Sequence, residues 1–105
     1  MPYRIELSDA AKLDLRALRK SGQVKVLDKI EMHLTYQPTM QSKSRIKSLR
    51  PGTFPHYRLR VDELRVYYDV IEPQHLVVVY GIVPKAESEA WLEQSSKDHR
   101  EGGTP

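Results

Sequence analysis

Three runs in the second half of the chain, His56–Val61, Leu64–Ile71 and His75–Val83, follow one another with only two or three residues between them. Each has the composition of an extended strand, and links this short join antiparallel neighbours, so the runs read as a meander. In the first, His56, Arg58 and Arg60 share one face while Tyr57, Leu59 and Val61 share the other. In the second, Leu64, Val66, Tyr68 and Val70 point to the core and Arg65, Tyr67 and Asp69 point away. With Asp62 and Glu63 at the tip, Arg60 faces Arg65 and Arg58 faces Tyr67. Leu76 to Val79 are apolar on consecutive residues, the signature of a strand covered on both faces, and this run is placed at the sheet centre.

The flanking segments complete an α+β fold. Tyr3, Ile5 and Leu7 alternate with Arg4 and Glu6 as a first strand. Ser8 can cap a helix that buries Ala10, Ala11, Leu15 and Leu18 and ends near Gly22. A second helix from Gln23 carries Val24, Leu27, Ile30 and Leu34 and stops before Pro38, making a helical hairpin. A polar loop leads to a short strand at Ile46–Arg50, and Arg50 to Pro55 punctuate the chain. Pro84 starts a short terminal helix with Ala86, Ala90 and Trp91 on related sides. The expected architecture is an N-terminal strand and helical hairpin on one face of a mainly antiparallel four-stranded sheet. Residues 1–94 form one domain, and 95–105, poor in apolar residues, form a disordered tail.

The absence of cysteine excludes disulfides and zinc–thiolate sites and fits a reducing cytoplasm. No segment approaches the ~18 apolar residues of a membrane span. The formal charge of +3 is unevenly distributed. From Gln41 to Arg65 seven basic residues (Lys43, Arg45, Lys47, Arg50, Arg58, Arg60, Arg65) meet two acids, giving +5 and leaving −2 for the rest. Such segregation fits either an anionic partner, nucleic acid foremost, or a solvated basic face. On the hairpin face, three arginines, a histidine and a tyrosine come together with few acids between them. Guanidinium forks grip phosphate with two prongs and stay charged at any biological pH, so this face suits a nucleic-acid backbone or a phosphorane-like transition state.

The stretch "SLRPGTFPHYRLRVDELRVYYDVIEPQHLVVVYGIVPKAESEAW" resembles the RelE/ParE superfamily of type II toxin–antitoxin toxins, the RelE branch above all. The likeness extends from Tyr3 to about Leu92. It rests on an ordered set: a leucine-containing loop, a tyrosine, alternating basic residues, an arginine before an apolar-aromatic strand, and a basic-then-acidic terminal helix. The resemblance implies a ribosome-dependent mRNA endoribonuclease. In it a ribose 2′-hydroxyl attacks the adjacent phosphodiester, giving a 2′,3′-cyclic phosphate and a 5′-hydroxyl, without metal or other cofactor. It implies an antitoxin partner, mRNA on the 70S ribosome, operator DNA only through the antitoxin, and no membrane. By position, Arg58 and Arg60 match residues tied to proton abstraction and charge stabilisation, and Arg65 one that steadies the phosphate. Lys85 matches a leaving-group donor and Trp91 a base-stacking aromatic. Tyr67, Lys43, Arg45, Lys47 and Arg50 complete the RNA-facing set.

Two departures bear on the chemistry. Where that branch often has lysines this chain has Arg58 and Arg60, and arginine does not readily release a proton. His56, on the same face, is the alternative base, because imidazole accepts a proton near neutral pH. Lys85 stands in for the usual arginine. For His56, Lys85 and Trp91 a purely structural reading stays open: a loop histidine, an exposed lysine, and an indole that anchors a helix to the sheet. His33 stands outside any cluster and reads as structural. Two other functions share the scaffold: a ParE-like poison of DNA gyrase, which needs no arginine cluster, and an inactive relic that only binds its antitoxin.

Overall fold

Ser8 both ends the first strand and starts the first helix. Its hydroxyl accepts the Ala11 amide at 3.1 Å, and its own amide donates to the Val79 carbonyl at 2.9 Å. Around this junction the structure, a computed structural model, describes residues 1–102. The elements run β1 (Arg4–Leu7), α1 (Asp9–Arg16), α2 (Lys20–Leu34), β2 (Ile46–Ser48), β3 (Tyr57–Val61), β4 (Leu64–Ile71), β5 (Leu76–Pro84) and α3 (Lys85–Gly102). No helix among the described residues is long and apolar enough to cross a membrane.

The sheet has five strands in the order β1-β5-β4-β3-β2, antiparallel except for β1, which lies parallel to β5. The N-terminal strand expected beside a four-stranded sheet is therefore its fifth member, held in part by the Arg4 amide on the His75 carbonyl at 2.9 Å. The centre is β4 rather than the apolar run of β5, because β1 extends the sheet by only one strand. Beyond Val79, β5 outruns β1, and Asp14 of α1 accepts the amide of Ile82 at 3.0 Å where a strand would otherwise have paired.

Helices cover both faces, not one. Against α1 and α2 lies the main core, with Ala11, Val26, Ile30, Leu34, Leu59, Val66, Tyr68, Val77 and Val79 buried. Side chains such as Leu34 and Leu59, fully withdrawn from water, each contribute about 1.5–3 kcal/mol. Tyr68 donates its hydroxyl to the Pro38 carbonyl at 2.6 Å, tying the loop after α2 to the core; burial raises its pKa. On the opposite face α3 packs a smaller cluster of Leu49, Tyr67, Val83, Trp91 and Leu92.

Three helix expectations change. The first helix stops at Arg16, and Gly22 lies inside α2, where the Gln23 side chain donates to the Leu18 carbonyl at 2.9 Å and closes the break. In α2 the inward stripe is Val26, Ile30 and Leu34, while Val24 and Leu27 are 50% and 42% exposed. In α3 the buried positions are Ser88, Leu92 and Ser96, with Ala86 and Ala90 outside. That helix also continues through residues 95–102 of the expected tail, while 103–105 lie outside the described residues. Local contacts hold the extension. Ser96 Oγ accepts the Phe54 amide at 2.9 Å, and His99 stacks on Phe54 with centroids 3.9 Å apart. The facing loop presents Phe54 through an Arg50–Thr53 turn, with Pro51 then Gly52 at φ 89° and Thr53 N–H on the Arg50 carbonyl at 3.3 Å.

Between β4 and β5 the register steps from Tyr67↔Gly81 to Tyr68↔Val79, leaving Tyr80 as an extra residue. The bulge sets Tyr80 against Phe54, with centroids 4.9 Å apart, and lays Trp91 across Gly81. A Cβ at Gly81 would stand 2.3 Å from the indole, so Gly81→Ala should destabilise the fold by about 1–3 kcal/mol. Denaturant titration would show it, accompanied by a red shift in emission from Trp91, the single tryptophan.

Candidate nucleic-acid interface

Pairing of β3 with β4 places Arg58 opposite Tyr67 and Arg60 opposite Arg65, the register the alternation predicts. Short β2 adds Lys47 beside Arg58, so Lys47, Arg58, Tyr67 and Gly81 form one row across the sheet. The next row holds Arg60, Arg65 and Val83. Because Leu59, Val61 and Val66 fill the main core, the intervening residues of β3 and β4 point to the α3 side.

The three guanidiniums differ in setting. Arg65 is 5% exposed and its Nη1 donates to the carbonyls of Asp62 and Leu64, both at 2.9 Å, bracing the hairpin turn in which Asp62 takes φ 52°. Burial lowers its pKa first, and the positive charges of Arg58 and Arg60 lower it further. Arg58 is half-buried, and its Nε is withdrawn from water with no hydrogen-bond partner among the described residues. Arg60 is exposed. None of the three forms an ion pair within the described residues; Asp62, the nearest acid in sequence, pairs with Lys25 of α2. An anion held at the exposed Arg60 would relieve the mutual repulsion of the three.

The face is less open than alternation alone suggests. Tyr67 is 2% exposed beneath Trp91, with ring centroids 4.8 Å apart and planes 17° from parallel. Trp91 thus has one face on Tyr67 and its edge on Gly81, the arrangement of a helix anchor. Its remaining surface lines a cleft of about 560 Å³ with Phe54, Tyr80 and His99. Lys85, exposed at the start of α3, lies by the hairpin tip because its amide donates to the Glu63 carbonyl at 2.7 Å.

Lys47 pairs with Arg58, and the Arg45 carbonyl accepts the Arg60 amide at 2.8 Å, so the backbone of both cations continues the arginine rows. Arg45 turns toward α2, its Nη1 3.3 Å from His33 Nε2. Burial lowers the His33 pKa, helped by Arg45 and Lys29. Lys43 and Arg50 stand exposed on the flanking loops.

His56 precedes β3, its side chain 63% exposed, and its ring Nδ1 lies 2.9 Å from Asp69 Oδ1. The same oxygen accepts the His56 backbone amide at 2.6 Å. Asp69 was not among the candidate residues read from the sequence. The signal was present, since alternation sets Asp69 on the face of Arg65 and Tyr67, and extending the hairpin register brings it to His56.

No family model matches the sequence, and no curated protein matches it. Solved structures do. An archaeal RelE–RelB complex from Pyrococcus horikoshii aligns at TM-score 0.66 and 22% identity, covering 81% of this chain and 97% of that one. A RelBE toxin–antitoxin complex from Mycobacterium tuberculosis aligns at 0.63 and 20% identity, over 80% and 99% of the two chains. The fold is that of the RelE toxins. A mutant Escherichia coli RelE in the free state matches over 92% of this chain and 97% of its own, at TM-score 0.60 and 19% identity.

Arg60 and Arg65 should separate by stability. Arg65→Ala removes two charged hydrogen bonds and should cost about 1–3 kcal/mol, whereas exposed Arg60→Ala should stay within ~0.5 kcal/mol. Thermal midpoints of the two variants against the parent would check this.

Proposed function

We propose that this chain is the toxin of a type II toxin–antitoxin module, an mRNA endoribonuclease that acts on the translating ribosome. The carrying observation is the arginine face: Arg58, Arg60 and Arg65 gathered on one surface, unpaired with acids among the described residues, with one buried guanidinium nitrogen lacking an acceptor. The RelE-type fold supports the reading, as do the antitoxin–toxin complexes among the similar structures. A cognate antitoxin would be the resident partner and the link to operator DNA, and the cytoplasm the place of action.

In this reading the exposed Arg60 holds a non-bridging oxygen of the scissile phosphate, and the charges of half-buried Arg58 and buried Arg65 behind it stabilise the negative charge that develops there. His56 takes the proton from the 2′-hydroxyl as that oxygen bonds to phosphorus. The bond from phosphorus to the 5′-oxygen breaks, and Lys85 at the hairpin tip gives that oxygen a proton. Products are a 2′,3′-cyclic phosphate and a 5′-hydroxyl. Lys47 extends the grip along the backbone, with Lys43, Arg45 and Arg50 adding longer-range attraction screened by salt. Trp91 and Tyr67 contribute by holding α3 at the edge of the face, with the free surface of the indole left for a base.

Mapping transcript 5′ ends after brief induction tests the proposal. New 5′-hydroxyl ends should appear within translated frames and vanish when initiation is blocked. Arg60→Ala should lower cleavage of ribosome-bound mRNA by about 10²-fold with its thermal midpoint unchanged. Parental cleavage by that variant, or loss of gyrase supercoiling with no new RNA ends, would replace this reading with another.

A further inference from the structure

We infer that Asp69 is a positioning residue that fixes the tautomer of His56, so that Nε2 is the ring nitrogen presented to the attacking 2′-hydroxyl. The inference rests on the ribonuclease reading above for its chemistry but on separate geometry for its structure. Asp69 Oδ1 lies 2.9 Å from His56 Nδ1 and also accepts the His56 amide at 2.6 Å. An ionised carboxylate only accepts hydrogen bonds, so the proton of a neutral ring in this contact sits on Nδ1. Nε2 then carries the lone pair. The two bonds to one oxygen hold the ring in place along with its tautomer, since the backbone and the side chain of His56 are tied to the same point.

The surroundings favour a held carboxylate and an available ring. The Asp69 side chain is 13% exposed and that of His56 63%. Phe54 and the imidazole stand at right angles, with centroids 6.0 Å apart at 88°. Besides Asp69, the titratable groups around the pair are Arg58 two positions along the chain, Tyr80 of β5, and His99 of α3 stacked on the far side of Phe54. Burial raises the Tyr80 pKa and the Asp69 charge adds to it, which places that charge within reach of β5 as well.

The position suits proton removal beside an arginine-held phosphate. His56 and Arg58 are two residues apart on one face, a spacing of roughly 6.5–7 Å along a strand. A 2′-oxygen within hydrogen-bond reach of Nε2 thus has room to attack a phosphorus lying over the arginine rows. Two side-chain types in adjacent rows divide the work: imidazole takes the proton, and guanidiniums take the negative charge. That division answers the difficulty raised by arginine in place of lysine at 58 and 60.

The test combines spectroscopy with a double-mutant cycle. Nitrogen-15 shifts of the imidazole in the labelled parental chain, at a pH where the ring is neutral, should show the Nδ1–H tautomer. Asp69→Asn should mix the two tautomers and lower kcat on ribosome-bound mRNA by about tenfold or more with KM little changed. In a His56→Ala background, already slowed by roughly 10²-fold or more, Asp69→Asn should cost almost nothing further. An Nε2–H tautomer in the parental chain overturns the proposal, and does so even if Asp69→Asn fails to fold. So does an undiminished Asp69→Asn rate, or an equal loss in the His56→Ala background, which would mark Asp69 as a support for the loop alone. A parental chain that cleaves no RNA would overturn the ribonuclease reading and the use of His56 together. Cleavage with an unaffected Asp69→Asn rate would overturn this inference alone.

Discussion

β4 is the strand that must satisfy two different surroundings at once. Its even-numbered residues from Leu64 to Val70 pack toward α1 and α2, and its odd-numbered residues Arg65, Tyr67 and Asp69 project toward α3. A one-residue slip against β3 would turn Val66 and Tyr68 out of the core and drive Arg65 into it. The apolar requirement of the core therefore locks the polar register opposite it. Placing Arg60 against Arg65 and Arg58 against Tyr67 follows from burying Leu59 against Val66.

Like charges facing each other across strands weaken a sheet by some tenths of a kcal/mol to ~1. Here that cost is borne by a hairpin whose stability comes from its other face. Arg65 partly offsets it by donating to the carbonyls of the turn. Arg58, by contrast, keeps a buried nitrogen without a partner. Local dissatisfaction of this kind is supported by the firm core behind it.

The second layer regulates how much of that face is open. The bulge at Tyr80 lets Trp91 lie across Gly81 and over Tyr67, and α3 then runs on to meet Phe54 through Ser96 and His99. The same helix that covers Tyr67 leaves Arg60 and Lys85 exposed at the hairpin end and His56 exposed at the other. Between β4 and the helix stands an aromatic wall of Tyr67 and Trp91.

Strand order along the chain, the hairpin tip and the sharing of faces by Arg58, Arg60 and Arg65 were legible because two-residue alternation and short turns are local properties. So was the Ser8 cap, which depends only on a hydroxyl three residues before an open amide. The inward stripe of α2 was not legible, because its apolar residues exceed what one face can bury, and packing chose Val26, Ile30 and Leu34 over Val24 and Leu27. Nor was the length of α3. A polar segment has no reason of its own to stay helical, and Ser96 and His99 find partners only once the distant Phe54 loop is folded beside them. The sequence by itself determined which side chains could share a strand face. Tertiary structure alone decided that Tyr67 is covered, because the indole of Trp91 reaches it only once α3 has folded back onto the sheet.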